Sequence, residues 1–497
     1  MSEDRFDSRR RDLLKGALAA GTGAGLAGAL GPVGNAHAAD RNDGQHETDV
    51  VIVGAGIAGL TAARRLTAAG HKVLVVEARD RVGGRTLNHP VTAAGASAGT
   101  IVEVGGQWVG PTQDRVLALI QELGLSTFKT FTDGKLVNFL EGQRSDYSGR
   151  IPPGALLGSV EAQITITRLN KMAADVPLDR PWMAPKAAEW DSCTFQSWID
   201  DHVYSDNGKL LMTLAVQAVF SVEPRDLSLL HVLFYIRSAG SLERLIDTEN
   251  GAQDSRVVGG TQLISQRMAE QLGQRILLSA PVTHIDQDSH SVTVRGENFR
   301  VRAKQAIVAI PPTIAGRIRY NPILPPLRDQ LTQRMPMGSV IKVHCVYAKP
   351  FWRTAGYNGQ VTSDTGPVRL TFDNSPPDAK VGALMGFIEG SEARVACTWS
   401  VEQRRQSVID CLVRYFGNEA AKPLEYIEQN WMREEWTRGC YGGVFPPGAW
   451  LDYGAALRAP VGRIHWSGTE TATIWNGYMD GAVCSGEDAA KTVAALL

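Results

Sequence analysis

TDVVIVGAGIAG, residues 48–59, decides the fold of this 497-residue chain. Thr48 to Val53 is a short β-branched run that reads as a buried strand. Gly54-Ala55-Gly56-Ile57-Ala58-Gly59 follows with the spacing G-x-G-x-x-G and opens onto LTAARRLTAAG, a helical pattern. KVLVVE then reads as a second strand ending at Glu77. Between a strand and a helix each glycine has its own reason: Gly54 allows the tight turn, Gly56 lets the backbone approach a pyrophosphate, and Gly59 lets helix pack on strand. The free N–H groups of the helix start would attract that pyrophosphate. Glu77, eighteen residues beyond Gly59, is placed to accept hydrogen bonds from ribose hydroxyls. The expected fold class is α/β with a Rossmann-like dinucleotide-binding domain.

The next residues separate the two common dinucleotides. Ala78-Arg79-Asp80-Arg81-Val82-Gly83-Gly84-Arg85-Thr86 places a second glycine pair and well-spaced arginines directly after Glu77. Bare backbone at Gly84 and a forked guanidinium at Arg85 suit a second contact to a diphosphate. With this segment the chain resembles the flavin-containing amine oxidase family. That resemblance implies a glutathione-reductase-like FAD-binding domain, with Arg79 among its cofactor contacts. Gly95-Ala96-Ser97-Ala98-Gly99 also satisfies G-x-S-x-G, the hydrolase nucleophile elbow. An elbow must join a buried strand to a helix; this one follows a Pro-containing loop and precedes the strand-like TIVEV, so no nucleophile is expected.

Composition narrows the classes further. A chain this long exceeds one ordinary core, so two or more domains are expected. The 51 basic and 52 acidic residues give no electrostatic footprint for nucleic acid or anionic membrane. The ten histidines show no HxxxH or HExxH arrangement and the six cysteines no CxxC, so no metal site is expected. Ser8-Arg9-Arg10-Arg11-Asp12-Leu13-Leu14-Lys15, an Ala/Gly-rich apolar run and Ala36-His37-Ala38 read as a twin-arginine signal peptide over residues 1–38. The alternative is a disordered basic tail. Export by that route delivers a protein already folded around its cofactor to the periplasm or beyond. In an oxidising compartment some cysteines could pair, but the spacing does not say which. After residue 38 no run of eighteen apolar residues occurs, so no membrane span is expected.

Along the chain, dinucleotide-type patterns stop and return. Residues 47–127, 256–331 and 432–497 are assigned to the FAD-binding domain, including the strand AKQAIVAIPP. Residues 128–255, read as mixed helix and loop, and 332–431 are assigned to a discontinuous α+β substrate-binding domain. Such an arrangement leaves a cleft between the two, where ligands are usually held.

Three distant segments sharpen the resemblance to the monoamine oxidases: MGSVIKVHCVYAKPFW, RGCYGGVFPPG and SGTETATIWNGYMDGAVCSGEDAA. With VGGQWVGPTQ, NGAQDSRVVGG and AIPP, it covers nearly all of residues 48–495. The resemblance implies that Cys440 forms a thioether to the 8α-methyl of FAD; a buried structural thiol or a disulfide partner is the alternative. Arg438 is a candidate for lowering its thiol pKa. Tyr441 and Tyr478 match a two-tyrosine cage around the substrate amine, although most tyrosines are simply core aromatics. Lys342 matches a lysine that assists the reaction of reduced flavin with O2; a solvent-facing edge-strand lysine is the alternative. Gly106, Gln107, Trp108, Val282, Trp431, Thr469, Glu470 and Met479 match flavin contacts, and Trp108, Ile246 and Gln253 the substrate pocket. Gln107 and Trp108 stand where the best-known members have Ser and Tyr, and Ile474 and Asn476 where they have His and Ser.

The resemblance therefore implies oxidation of a primary or secondary aryl-alkyl monoamine to an imine, hydrolysed to aldehyde or ketone, while O2 becomes H2O2. The partners would be a small amine and O2, with a homodimer compatible. No arginine for a substrate carboxylate and no row of acids for a polyamine is visible, although Asp247 and Glu249 could line an entrance. Two alternatives stand beside this: a periplasmic flavin amine dehydrogenase using a carrier protein, and a non-catalytic secreted FAD-binding protein.

Overall fold

Strand β1 (Gln45–Val53), helix α1 (Ile57–Ala68) and strand β2 (Val73–Val76) form the β-α-β unit that the glycine motif predicts. The structure, a computed structural model, describes residues 44–149 and 156–497; the leader read in residues 1–38 lies outside them. β1 pairs in parallel with β2 and with the strand Arg300–Val308. These belong to an eight-stranded mixed sheet, built from chain segments 45–76, 276–321 and 464–466. Val50, Val51 and Ile52 are wholly buried because both faces of the sheet are covered, as continuous apolar strands require. On one face α1 packs against the last helix, Met479–Ala494. Glycine makes this approach feasible: a Cβ on Gly59 would stand 2.0 Å from the Gly54 carbonyl oxygen, and one on Gly486 2.4 Å from that of Ala58.

A second sheet of seven strands comes from segments 135–147 and 340–430. It is antiparallel except for the pair Lys135–Leu140 and Tyr357–Ser363. The strands Val340–Tyr347 and Gly382–Glu389 lie side by side, with every residue buried. Helices Leu156–Ala173, Asp206–Phe220 and Leu229–Ala239 share an apolar core that includes Trp190, Phe234 and Trp450. Ser205 starts the second of these helices, its Oγ accepting the Gly208 N–H.

One reading of the sequence meets a correction here. Residues 128–255 are not only helix and loop: Lys135–Leu140 and Gln143–Tyr147 form a hairpin that extends the second sheet. The outer strand, QRSDY, is exposed at four of five positions, so it carries no apolar periodicity to reveal it. Ser97, in the G-x-S-x-G segment, sits in the loop joining Asn88–Pro90 to Ile101–Glu103 and donates to Asp378 at 2.7 Å. No strand-to-helix elbow exists there. All six cysteines are free.

Substituting Gly59→Ala should destabilise the protein by about 1–3 kcal/mol, the usual cost of overpacking. Urea unfolding reads this directly, and an unchanged midpoint would contradict the close approach of α1 to the Gly54 turn.

Candidate active site

Two cavities adjoin, the larger of them at the C-terminal ends of β1 and β2. The larger, about 730 Å³, is lined by the glycine turns and arginines of the first segment together with Val282, Cys440, Thr469, Tyr478 and Met479. Gly54, Gly56 and Gly84 supply backbone without side chains to its wall. Both helices that start against it, α1 at Gly56 and the last helix at Tyr478, lack a side-chain cap, so their first N–H groups are left for a ligand. Gly59 packs helix on strand and does not line the cavity.

Glu77 is buried and lines this cavity. Its carboxylate accepts the Ala55 N–H at 2.7 Å and the Arg79 N–H at 2.9 Å, which pins the glycine turn to the end of β2. Arg79 lines the cavity while donating to Thr437 at 2.6 Å and to Glu434 at 3.3 Å. Arg85 corrects the expectation of a guanidinium forked onto diphosphate. Its fork is taken by Glu470, with Nη2 donating to Oε2 at 3.0 Å, and Nη1 also donates to the Tyr441 carbonyl at 2.9 Å. Burial alone would raise the Glu470 pKa, but the Arg85 charge and the hydrogen bonds from Arg85 and Gly443 hold it below the usual carboxylate range. Asn476 secures the same turn, donating to the carbonyls of Glu470 and Ala472.

Cys440 lies in the cavity wall, with Trp431 packed in the same apolar cluster. Trp431 lines neither cavity; its Nε1 donates to the Val104 carbonyl at 2.8 Å. Burial pushes the Cys440 thiol up to about 12, with Arg85 the first cation opposing this and Arg79 the second. Arg438, expected in that role, is exposed and donates to the Glu435 carbonyl instead. The peptide bond between Cys440 and Tyr441 is cis.

The smaller cavity, about 290 Å³, contains Gln107, Trp108, Ile246, Gln253, Lys342, Tyr441 and Tyr478 in its wall, together with Phe372 and Phe387. Among the described residues no Asp, Glu or Arg side chain lines it. Asp247 and Glu249 are outside the lining, and Glu249 accepts from Thr132. Tyr441 stands edge-on to Phe387 at 5.9 Å, and Tyr478 is edge-on to Trp475 at 5.0 Å. Gly106, Tyr441, Gly477, Tyr478 and Met479 line both cavities, so the aromatic chamber opens onto the end of the nucleotide cavity.

Lys342 reaches this junction from the middle of the strand Val340–Tyr347. Its Nζ donates to the Gly105 carbonyl at 2.9 Å and to Gln107 Oε1, and Gln107 in turn donates to Asn374 at 2.9 Å. The lysine is therefore neither idle nor at an edge. Burial lowers its pKa to about 7, against the opposing charge of Glu103, so the amine exchanges a proton near neutral pH. Gln107 was legible as a flavin contact and as a departure from serine; its partner Asn374 carries no sequence signal of its own.

Residues 57–494 match the family model of flavin containing amine oxidoreductases. The chain belongs to that family. It is 45% identical over 449 residues to AofH of Mycobacterium tuberculosis, which carries the name flavin-containing monoamine oxidase; the match covers 90% of this chain and 97% of that one. It is 40% identical over 456 residues to the human amine oxidase [flavin-containing] B, covering 90% and 86% respectively. Wild-type putrescine oxidase bound to putrescine superposes with a TM-score of 0.87 at 36% identity, over 91% of this chain and all of that one. Cyclohexylamine oxidase of Brevibacterium oxydans IH-35A gives 0.85 at 34% identity, over 90% and 99%. The protein is a flavin amine oxidase with a Rossmann-like FAD-binding fold, and FAD is the dinucleotide that its larger cavity fits. Among the described residues no helix is long and apolar enough to cross a membrane.

Glu470→Gln leaves the Arg85 guanidinium without its charge partner. The expected loss is about 3 kcal/mol, the low end for breaking a buried pair because Arg85 is partly exposed. Denaturant titration checks it, and a loss under about 1 kcal/mol, the range of surface pairs, would contradict the structural role given to this pair.

Proposed function

We propose that this oxidase converts a primary or secondary aryl-alkyl monoamine to an imine, which water hydrolyses to aldehyde or ketone, with O2 reduced to H2O2. One observation carries the substrate class: a chamber walled by Tyr441, Tyr478, Trp108, Phe372 and Phe387, with no carboxylate among the described residues, opens onto the nucleotide cavity. Bound in the larger cavity, FAD would supply the hydride acceptor, and the two electrons taken from the amine would pass through it to O2. The two tyrosines hold the amine nitrogen between π faces and orient its α-carbon. An apolar wall favours the neutral amine that can react, since desolvating an ammonium is costly. A diamine would bring a second ammonium, and no acid in the lining would receive it; a single amine on a bulky apolar group suits the chamber better.

Cys440 is read as the anchor that tethers the flavin through an 8α-S-cysteinyl thioether. Its place in the nucleotide cavity wall, one residue before Tyr441, supports this. Lys342 holds a movable proton at Nζ, in reach of the junction, and serves the reaction with O2. The twin-arginine pattern in residues 1–38 supports export of the folded flavoprotein to the periplasm or beyond.

A peroxide-coupled panel tests the substrate class. Aryl-alkyl monoamines such as benzylamine should exceed putrescine in kcat/KM by at least about tenfold, the value of a charge left unpaired in a dry site; the reverse order overturns the reading. Flavin that amines bleach but air does not restore would instead mark a dehydrogenase. Lys342→Met should slow reoxidation by O2 about 10²-fold while sparing reduction by amine, the size expected for losing a proton-handling group. Acid precipitation tests the tether: yellow pellet in the wild type and yellow supernatant from Cys440→Ala are expected, and colour in the wild-type supernatant rejects the bond.

A further inference from the structure

Behind the Tyr441 ring lies an acid that the chemistry above does not use. Glu389 ends the strand Gly382–Glu389, is 7% exposed, and lies opposite Val340 in the ladder, two pairs beyond Phe387 opposite Lys342. Its Oε1 accepts the Tyr441 hydroxyl at 2.8 Å and the Ser221 hydroxyl at 3.4 Å. Among the described residues no cation pairs with it. Glu223, from the turn after the helix Asp206–Phe220, adds a like charge. Arg394, on the following helix, is engaged by Asp226 and Ser339. Lys342, on the neighbouring strand, is bound to Gly105 and Gln107. An uncompensated carboxyl is costly in such a place, and one bonded to a wall of a substrate chamber points to function.

We propose that Glu389 is a positioning residue for the amine: it holds the Tyr441 hydroxyl, fixes that ring against the chamber, and lets its own charge be felt there. The proposal rests on reading Tyr441 as a wall of the amine site. Burial pushes the Glu389 carboxyl up to about 8. Below that pH it is neutral; above it, negative charge sits behind the ring and favours a cation in the chamber. Lys342 also faces the chamber and loses its own charge near pH 7, which favours a cation too. The Glu389 contribution is therefore the difference between wild type and Glu389→Gln, in which the side-chain carbonyl still accepts from Tyr441 but carries no charge. Tyr235, Tyr441 and Tyr478 stay protonated, since burial raises all three.

The test uses the holoenzyme and two probes read by flavin difference spectra: benzyltrimethylammonium, whose charge is fixed, and neutral benzyl alcohol. Between pH 7 and 9 the wild type should gain about fivefold more affinity for the cation than E389Q does over the same span, a screened charge effect, with benzyl alcohol unaffected. E389L and Y441F should each raise KM for benzylamine more than they lower kcat, and the double variant should be no worse than either. E389Q should restore the KM that E389L loses. Identical pH profiles in wild type and E389Q, or E389L and Y441F adding independently, would overturn the role of Glu389 while leaving the amine site in place. A Y441A enzyme with unchanged KM would overturn the amine site and this proposal together.

Discussion

The ion pair between Arg85 and Glu470 is the constraint on which the rest of the site depends. Glu470 is almost wholly buried, so its charge must be met, and Arg85 meets it from 385 positions away in the chain. The same guanidinium takes the Tyr441 carbonyl, and the same carboxylate takes the Gly443 N–H. Three segments are thereby locked together: the glycine-arginine loop after β2, the Cys440-Tyr441 corner, and the turn before the last helix. Thr469, beside Glu470, extends the lock by donating to the Tyr478 carbonyl at 2.7 Å. The wall shared by the two cavities follows from these few hydrogen bonds.

Around that lock the two sheets contribute differently. The first buries its parallel strands on both faces and leaves the open ends of two helices turned toward a nucleotide. The second brings polar groups into an apolar setting. Lys342 and Glu389 are each kept near neutrality by burial, and both cost stability in ways that depend on pH. The Glu389 pKa is raised from an ordinary 4.5 to about 8, so its contribution falls as pH rises between those values. The Lys342 pKa is lowered from 10.5 to about 7, so its contribution rises with pH from about 7 upward. Taken together, the two groups stabilise least around pH 7–8, which is where each can change its charge and act.

Much of this was legible in the sequence where local chemistry repeats a pattern. The glycine turn, the acid ending β2 and the helix after them have fixed spacing because a backbone must pass close to a ligand. Cys440, Tyr441, Tyr478 and Lys342 stood out through resemblance, and all four lie at or beside the cavity junction. What escaped has no spacing to betray it. Arg85 looked free for phosphate because its partner lies at the far end of the chain. Arg438, next but one to Cys440 in sequence, points to another carbonyl, while the cations that oppose the buried thiol are Arg85 and Arg79. Glu389 belongs to no motif of the sequence, and only the fold brings it to the Tyr441 hydroxyl. Asp247 and Glu249 looked like an acidic entrance, yet only Thr248 between them lines the chamber.

The central claim is that the reactive ring of the flavin sits where the two cavities share Gly106, Tyr441, Gly477, Tyr478 and Met479. A crystal structure of the yellow holoenzyme with an aryl-alkyl amine inhibitor measures this most directly. The expected density places the isoalloxazine at that junction, between Cys440 and Lys342, with the inhibitor nitrogen flanked by the two tyrosine rings. An isoalloxazine lying elsewhere in the nucleotide cavity, with the inhibitor away from residues 441 and 478, would contradict it.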